Sequence, residues 1–223
     1  MFSNFGTFVP FILQGLTTTV MVFLYGALIA YSIAIVAGLM RTSQYGVVRS
    51  IAAVFVELFR GTSLLVQMFF LYYALPQLID GLNMSLMLAG SLAVGLNYGA
   101  YASEVVRSAI NSIHVGQTEA AISLNMTRFQ RLRLVILPQA FRLMLPGFGN
   151  NAIELLKGTS LVYFIGLADL TFNANVLRGS NTAISSQVEI YTYLLFAYFL
   201  LALPLIFLAR YLEKRVSKGV STS

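Results

Sequence analysis

From Leu16 to Met40 the chain runs for 25 positions without one Asp, Glu, Lys or Arg. A helix of that length spans about 37 Å, against a hydrocarbon core of about 30 Å. Such a run predicts a membrane span, and it fixes the class of fold before any other residue is considered. Four further apolar stretches qualify. Val54 to Leu75 carries Glu57 and Arg60 near its start, and Leu86 to Val106 carries Glu104 near its end. Leu134 to Leu156 is broken and resumes as Leu161 to Leu170, and the last runs from Ile190 to Ala209. The expected fold is all-α: one polytopic domain over residues 1–223, with five transmembrane helices.

Charge is scarce. The 14 basic and 8 acidic side chains make up 10% of the chain, while 58% is hydrophobic; a soluble domain is about 25% charged. There is no cysteine, which removes disulfides, thiolate metal sites and Cys nucleophiles. The one histidine, His114, cannot build a His-based zinc site or relay. It has no acid–Ser or metal partner by spacing and is expected to flank a helix without chemistry.

The positions of the charges predict topology. The first, third and last connections hold ten bases: Arg41 and Arg49; Arg107, Arg128, Arg131 and Arg133; Arg210, Lys214, Arg215 and Lys218. The other side holds Arg178 alone. The positive-inside rule then places the N-terminus outside and the C-terminus in the cytoplasm. The net +6 is therefore a signature of membrane topology and contact with anionic lipid, not of nucleic-acid binding. Before the first span, Phe2, Phe5, Phe8 and Phe11 recur every three residues with no basic residue and no small-residue cleavage site. They read either as an interfacial helix or as an unstructured aromatic start.

Five spans are few for a complete secondary transporter, so a translocation path is expected between subunits. The only lysines are Lys157, Lys214 and Lys218, and none closes a phosphate-binding G-x-x-x-x-G-K-[ST] loop. Active transport would need ATP hydrolysis on another chain. A passive oligomeric channel or scaffold explains the hydrophobicity equally well.

The connection 107–138 is long for a bundle and internally ordered. Gln117–Leu124 reads as a short helix, and Asn125 suits a left-handed stop. Thr127 precedes Gln130 by three, the spacing of a capping box for a second helix, and Pro138 follows near the start of the fourth span. A helix lying across the cytoplasmic mouth between two spans can pass a partner's movement to both.

Glu119-Ala120-Ala121, three residues, Asn125, nine residues, then Val135-x-Leu137-Pro138 resembles the EAA loop of ATP-binding-cassette importer permeases. That family's pattern has Gly at the turn and Ile before Leu-Pro, so Asn125 and Val135 are mild departures. Glu57-Leu58-Phe59-Arg60-Gly61-Thr62 with Leu64-Leu65-Val66-Gln67 resembles the polar amino-acid branch. Gly99-Ala100-Tyr101-x-Ser103-Glu104 with Arg107, Leu137–Arg142 and Thr159–Val162 do so too. Segments 120–126, 153–159 and 167–172 are similar to ectoine and hydroxyectoine permeases. The resemblance implies a permease that itself makes and breaks no bonds. It implies partner ATPase subunits that carry ATP and Mg, an extracytoplasmic solute-binding protein and a second permease copy or related permease. The transported ligand would be a small polar solute. It also implies that Glu119, Ala120, Ala121, Asn125, Leu137 and Pro138 form the ATPase-coupling unit.

Three acids sit three residues before a base: Glu57 and Arg60, Glu104 and Arg107, Glu154 and Lys157. That spacing shares a helix face. The first two pairs read as neutralisation near the interface. The third follows Pro146, Gly147, Gly149, Asn150 and Asn151, and Gly158 is expected to break the helix after it. With Asn97 and Tyr98, the residues Asn150, Glu154 and Lys157 form either a path for a zwitterionic solute or a polar seam between helices. Gly95-x-x-x-Gly99 suggests close helix packing, within the chain or between permease subunits.

Overall fold

The computed structural model describes residues 4–181 and 183–217. Among them every regular element is helical: α1 (Phe5–Leu13), α2 (Leu16–Arg41), α3 (Gly46–Gly61), α4 (Leu64–Phe69), α5 (Leu75–Leu78) and α6 (Leu86–Asn111). Then come α7 (Val115–Ser123), α8 (Arg128–Arg131), α9 (Leu137–Gly158), α10 (Leu170–Ser180) and α11 (Ile184–Ser217). Wide π turns join α4 to α5 over Phe70–Ala74 and α8 to α9 over Leu132–Ile136. Each π turn is followed by Leu-Pro, Leu75-Pro76 and Leu137-Pro138. Proline lacks an N–H and its ring crowds the carbonyl four residues earlier; a locally widened turn relieves both.

Phe5–Arg41 and Ile184–Arg215 are each long and apolar enough to cross a bilayer. Two bent pairs raise the number to four if each is one span: Gly46–Gly61 with Leu64–Leu78 at 103°, and Arg128–Ile165 with Leu170–Ser180 at 50°. The remaining expected span is α6, 26 residues long but rich in Ala, Gly and Ser. It is the most enclosed helix, with Ala89, Ala93, Val94, Ala100 and Ala102 fully buried. Its buried face packs on other helices, where small residues allow close approach.

The largest helix pairing is α2 against α6. It is close because small residues face each other: a side-chain carbon at Gly99 would lie 2.9 Å from the Ala30 carbonyl oxygen, and one at Gly95 2.5 Å from Ile29. The Gly95–Gly99 spacing thus serves packing inside this chain. α9 then packs on both α6 and α11.

The structure corrects one sequence expectation and sharpens two. The stretch Val54–Leu75 is not one helix: α3 starts earlier, at Gly46, and turns sharply through Gly61–Ser63. The α-helix of the fourth span ends at Gly158, as expected, but the helical run does not stop there. The chain continues as a 3-10 turn over Thr159–Ile165 and reverses at Gly166, whose φ of 90° needs the left-handed region. Residues 5–13 are helical, so the unstructured reading of the aromatic start falls. α1 leads almost directly into α2, and Phe8 and Ile12 are buried against α10 and α11. Asn4 donates to Glu189 from both its backbone N (3.3 Å) and Nδ2 (3.4 Å), and Asn173 Nδ2 donates to the Phe11 carbonyl at 3.2 Å. Phe2, like Lys218, lies outside the described residues.

Candidate functional site

At one end of the bundle α7 spans the connection between α6 and α9. His114 is its N-cap, Nδ1 accepting from the Gly116 N–H at 3.1 Å, so the expected flanking residue has a definite structural task. The other end closes as a Schellman motif: the Met126 N–H reaches the Ala121 carbonyl at 3.0 Å, and the Asn125 N–H the Ile122 carbonyl at 2.9 Å. Asn125 has φ 54°, the one positive-φ non-glycine among the described residues. The capping box is complete: Gln130 N–H donates to Thr127 Oγ1 at 3.3 Å, and Thr127 N–H to Gln130 Oε1 at 2.9 Å. Glu119 and Ala120 are exposed while Ala121 is buried. Pro138 lies in the first turn of α9, and Gln139 there donates to Gln117 Oε1 of α7 at 3.2 Å. Helix, stop, cap and span are therefore one connected unit.

Near this end lies a cluster of five charges that the local pairings only half foretold. Glu57 and Arg60 approach to 3.8 Å and Glu104 and Arg107 to 2.8 Å, as the spacing predicts. Arg41, from the end of α2, joins them by pairing with Glu104 and by lying 3.9 Å from Glu57. Arg60 also reaches Glu104 at 3.5 Å and stacks over the Tyr101 ring at 5.2 Å. Three cations against two acids thus clamp α2, α3 and α6. Glu154 and Lys157 make no such pair among the described residues.

Of the five residues of the expected solute path, Asn97 stands apart, while Tyr98 lies against the part of α9 that carries Glu154 and Lys157. Asn97 is buried and its amide is committed, donating to the Phe59 carbonyl at 2.9 Å and to Gln67 Oε1 at 3.3 Å. Gln67 Nε2 in turn reaches the Phe59 carbonyl at 2.9 Å and Thr62 Oγ1 at 2.7 Å, and Tyr101 O–H donates to the Arg60 carbonyl at 3.2 Å. These side chains satisfy the last carbonyls of α3 where the helix stops. Asn97 therefore belongs to the α3–α4 elbow. Tyr98 lies half-buried with its ring over Gly158, where any side chain would collide with its hydroxyl. Asn150, Glu154 and Lys157 are all exposed on α9, four and three residues apart, and make one polar stripe. Local spacing did not reveal Arg41, Gln67 or Tyr101 as partners, because each acts across the chain. Among the described residues no three His, Asp or Glu side chains converge as a metal site would require.

The comparisons agree with this geometry. Residues 30–218 match the family described as the binding-protein-dependent transport system inner membrane component. The probable amino-acid ABC transporter permease protein y4tF of Sinorhizobium fredii is 41% identical over 209 residues, covering 92% of this chain and 87% of its own length. The glutamine transport system permease protein GlnP of Escherichia coli is 35% identical, covering 93% and 94%. A crystal structure of an amino acid ABC transporter with histidines superposes with a TM-score of 0.86 at 32% identity, covering 96% of this chain and 98% of that one. The inward-facing MetNI methionine ABC transporter, at 17% identity and a TM-score of 0.67, shares the fold. Family context implies an ATPase and a binding protein as partners, and a transport component with no catalytic domain or cofactor of its own. The chain belongs to the inner-membrane components of binding-protein-dependent transport systems, within the polar amino-acid ABC permeases.

Proposed function

We propose that the chain imports a polar amino acid by alternating access, as one of two permease subunits driven by two ATPases. A solute-loaded binding protein would engage the end opposite α7. The observation that carries the coupling reading is the single unit made by α7, the Asn125 stop, the Thr127–Gln130 cap and α9. A push on exposed Glu119 and Ala120 is passed through this unit, because the Gln117–Gln139 bond and the capped turn leave no slack between α7 and the span. Buried Ala121 anchors the helix, and Leu137 and Pro138 start the span that receives the movement. The basic connections support an N-terminus outside and a C-terminus in the cytoplasm, with α6 as the fifth span.

The solute would pass along the stripe of Asn150, Glu154 and Lys157, which offers a carboxylate to an ammonium and an ammonium to a carboxylate. Tyr98 stands behind that stripe, and Asn97 supports the path through the elbow. The nature of the relatives supports amino acids: besides the glutamine permease, the arginine transport system permease protein ArtQ of Bacillus subtilis is 34% identical over 214 residues. The segments 120–126, 153–159 and 167–172 favour a second substrate, ectoine or hydroxyectoine, which is also zwitterionic.

The test is uptake by the reconstituted importer with glutamine, arginine, glutamate, histidine and ectoine offered in competition. We expect amino-acid uptake that Glu119→Lys abolishes while the permease still inserts and folds. Normal ATP-coupled uptake by Glu119→Lys would overturn the coupling role, and uptake of ectoine alone would select the second substrate.

A further inference from the structure

The arginines of this chain fall into two groups. Arg41, Arg60 and Arg107 are neutralised by Glu57 and Glu104 inside the helix clamp. Arg128, Arg131, Arg133 and Arg142 form no ion pair among the described residues, and no acid occurs anywhere between Glu119 and Glu154. All four lie on one helical run, Arg128–Ile165, that continues into the bundle as α9. Arg128, Arg133 and Arg142 are exposed. Between them stand Phe129, Leu134 and Phe141, which are 68%, 60% and 55% exposed.

Guanidiniums alone would be content in water. Large apolar side chains alternating with them at similar exposure are not. The combination fits the boundary between headgroups and acyl chains, where rings and Leu enter the apolar layer and Arg reaches the phosphates. The patch is also continuous with the membrane: beyond Phe141 the same helix exposes Leu143 and then packs on α6 and α11.

We propose that the exposed side chains along residues 128–142 make a binding site for anionic phospholipid. Arg128, Arg133 and Arg142 hold the headgroup phosphates, while Phe129, Leu134 and Phe141 lie among the acyl chains. The lipid thereby holds the start of α9 at a set depth beside the Gln117–Gln139 contact with α7. The inference rests on the chain being a membrane permease. It does not depend on the solute or on which residues touch the ATPase.

The importer, permease with its ATPase, is purified in neutral detergent and titrated with phosphatidylglycerol, phosphatidylcholine or inorganic phosphate. Bound lipid is read by native mass spectrometry. We expect phosphatidylglycerol to bind in preference to phosphatidylcholine, and inorganic phosphate not to compete. Arg133→Gln and Arg142→Gln should each weaken phosphatidylglycerol about fivefold, and the double variant about 25-fold. Arg210→Gln, on α11, should leave it unchanged. Both sites are exposed, so the single variants keep the test readable should the double variant fail to fold. Equal affinity for the two lipids, competition by phosphate, or undiminished affinity in the single variants would overturn the proposal. If the variants lose the ATPase while phosphatidylglycerol affinity stays intact, the arginines face the partner protein, and the lipid site is refuted.

Discussion

Arg41 and Glu104 meet across 63 positions of sequence, joining the end of α2 to the last third of α6. Both side chains are mostly shielded, at 14% and 20% exposure, so the pair is neither a surface bridge nor fully dry. Glu104 also accepts from Arg107 Nε at 2.8 Å and faces Arg60 at 3.5 Å. One carboxylate thus holds three guanidiniums together. Removing it leaves three like charges with only exposed Glu57 among them. Breaking a fully buried pair from one side costs roughly 3–5 kcal/mol, which is an upper bound for this partly exposed cluster. Glu104→Ala should therefore lower the melting temperature of the detergent-solubilised permease more than Glu57→Ala does. The exchange Arg41→Glu with Glu104→Arg should fail to restore stability, because it adds a cation beside Arg60 and Arg107. Recovery in that double variant would mean that the Arg41–Glu104 pair acts alone.

The elbow between α3 and α4 makes a separate prediction. Gln67 and Asn97 share the Phe59 carbonyl and also bond each other. Leaving such buried groups unsatisfied costs about 1–3 kcal/mol each. Gln67→Leu and Asn97→Leu should each destabilise by that amount, and together by less than the sum, since either one already breaks the shared contact. Thermal denaturation of the two single variants and the double variant measures the coupling. Strict additivity would show that the two amides cap α3 independently.

What could be read from the sequence and what could not divides by the distance along the chain. α7, its stop at Asn125 and the Thr127–Gln130 cap depend on neighbours within six residues, and all three were legible. So were the pairs Glu57–Arg60 and Glu104–Arg107. Arg41 was not, because nothing near it in sequence is acidic. Nor was the role of Asn97, whose amide looks available until α3 is folded against it. Hydropathy found α2 and α11 more surely than α6, whose close packing on other helices favours Gly, Ala and Ser. The sharp turn at Gly61–Ser63 was hidden inside an apolar run, because it is stabilised by Gln67 of α4 together with Asn97 and Tyr101 of α6.

Asn125 occupies a backbone region that costs a residue with a Cβ roughly 1–2 kcal/mol unless its side chain is short and polar. Asn125→Gly should therefore keep uptake at or above the parent level. Asn125→Val should open the Schellman closure and loosen α7 from α8. The expected readout is a loss of ATP-coupled uptake together with faster proteolysis between residues 123 and 128, with membrane insertion unchanged. If Asn125→Val transports normally, the left-handed stop is not needed for coupling.

Gly99 tests the seam that organises the bundle. A methyl group there would meet the Ala30 carbonyl oxygen at 2.9 Å and the Ile33 side chain at 3.0 Å. Neither neighbour can withdraw freely, since one is backbone and the other is a β-branched side chain on the same helix. Overpacking of this kind costs about 1–3 kcal/mol. Gly99→Ala should reduce the yield of monodisperse permease and its melting temperature, and Gly99→Leu should prevent accumulation. Gly61→Ala is the control, because a side-chain carbon there meets nothing within 4 Å. Equal stability of Gly99→Ala and Gly61→Ala would show that α2 and α6 can separate without penalty. In that case the Gly95–Gly99 face would be free to serve an interface with a second subunit.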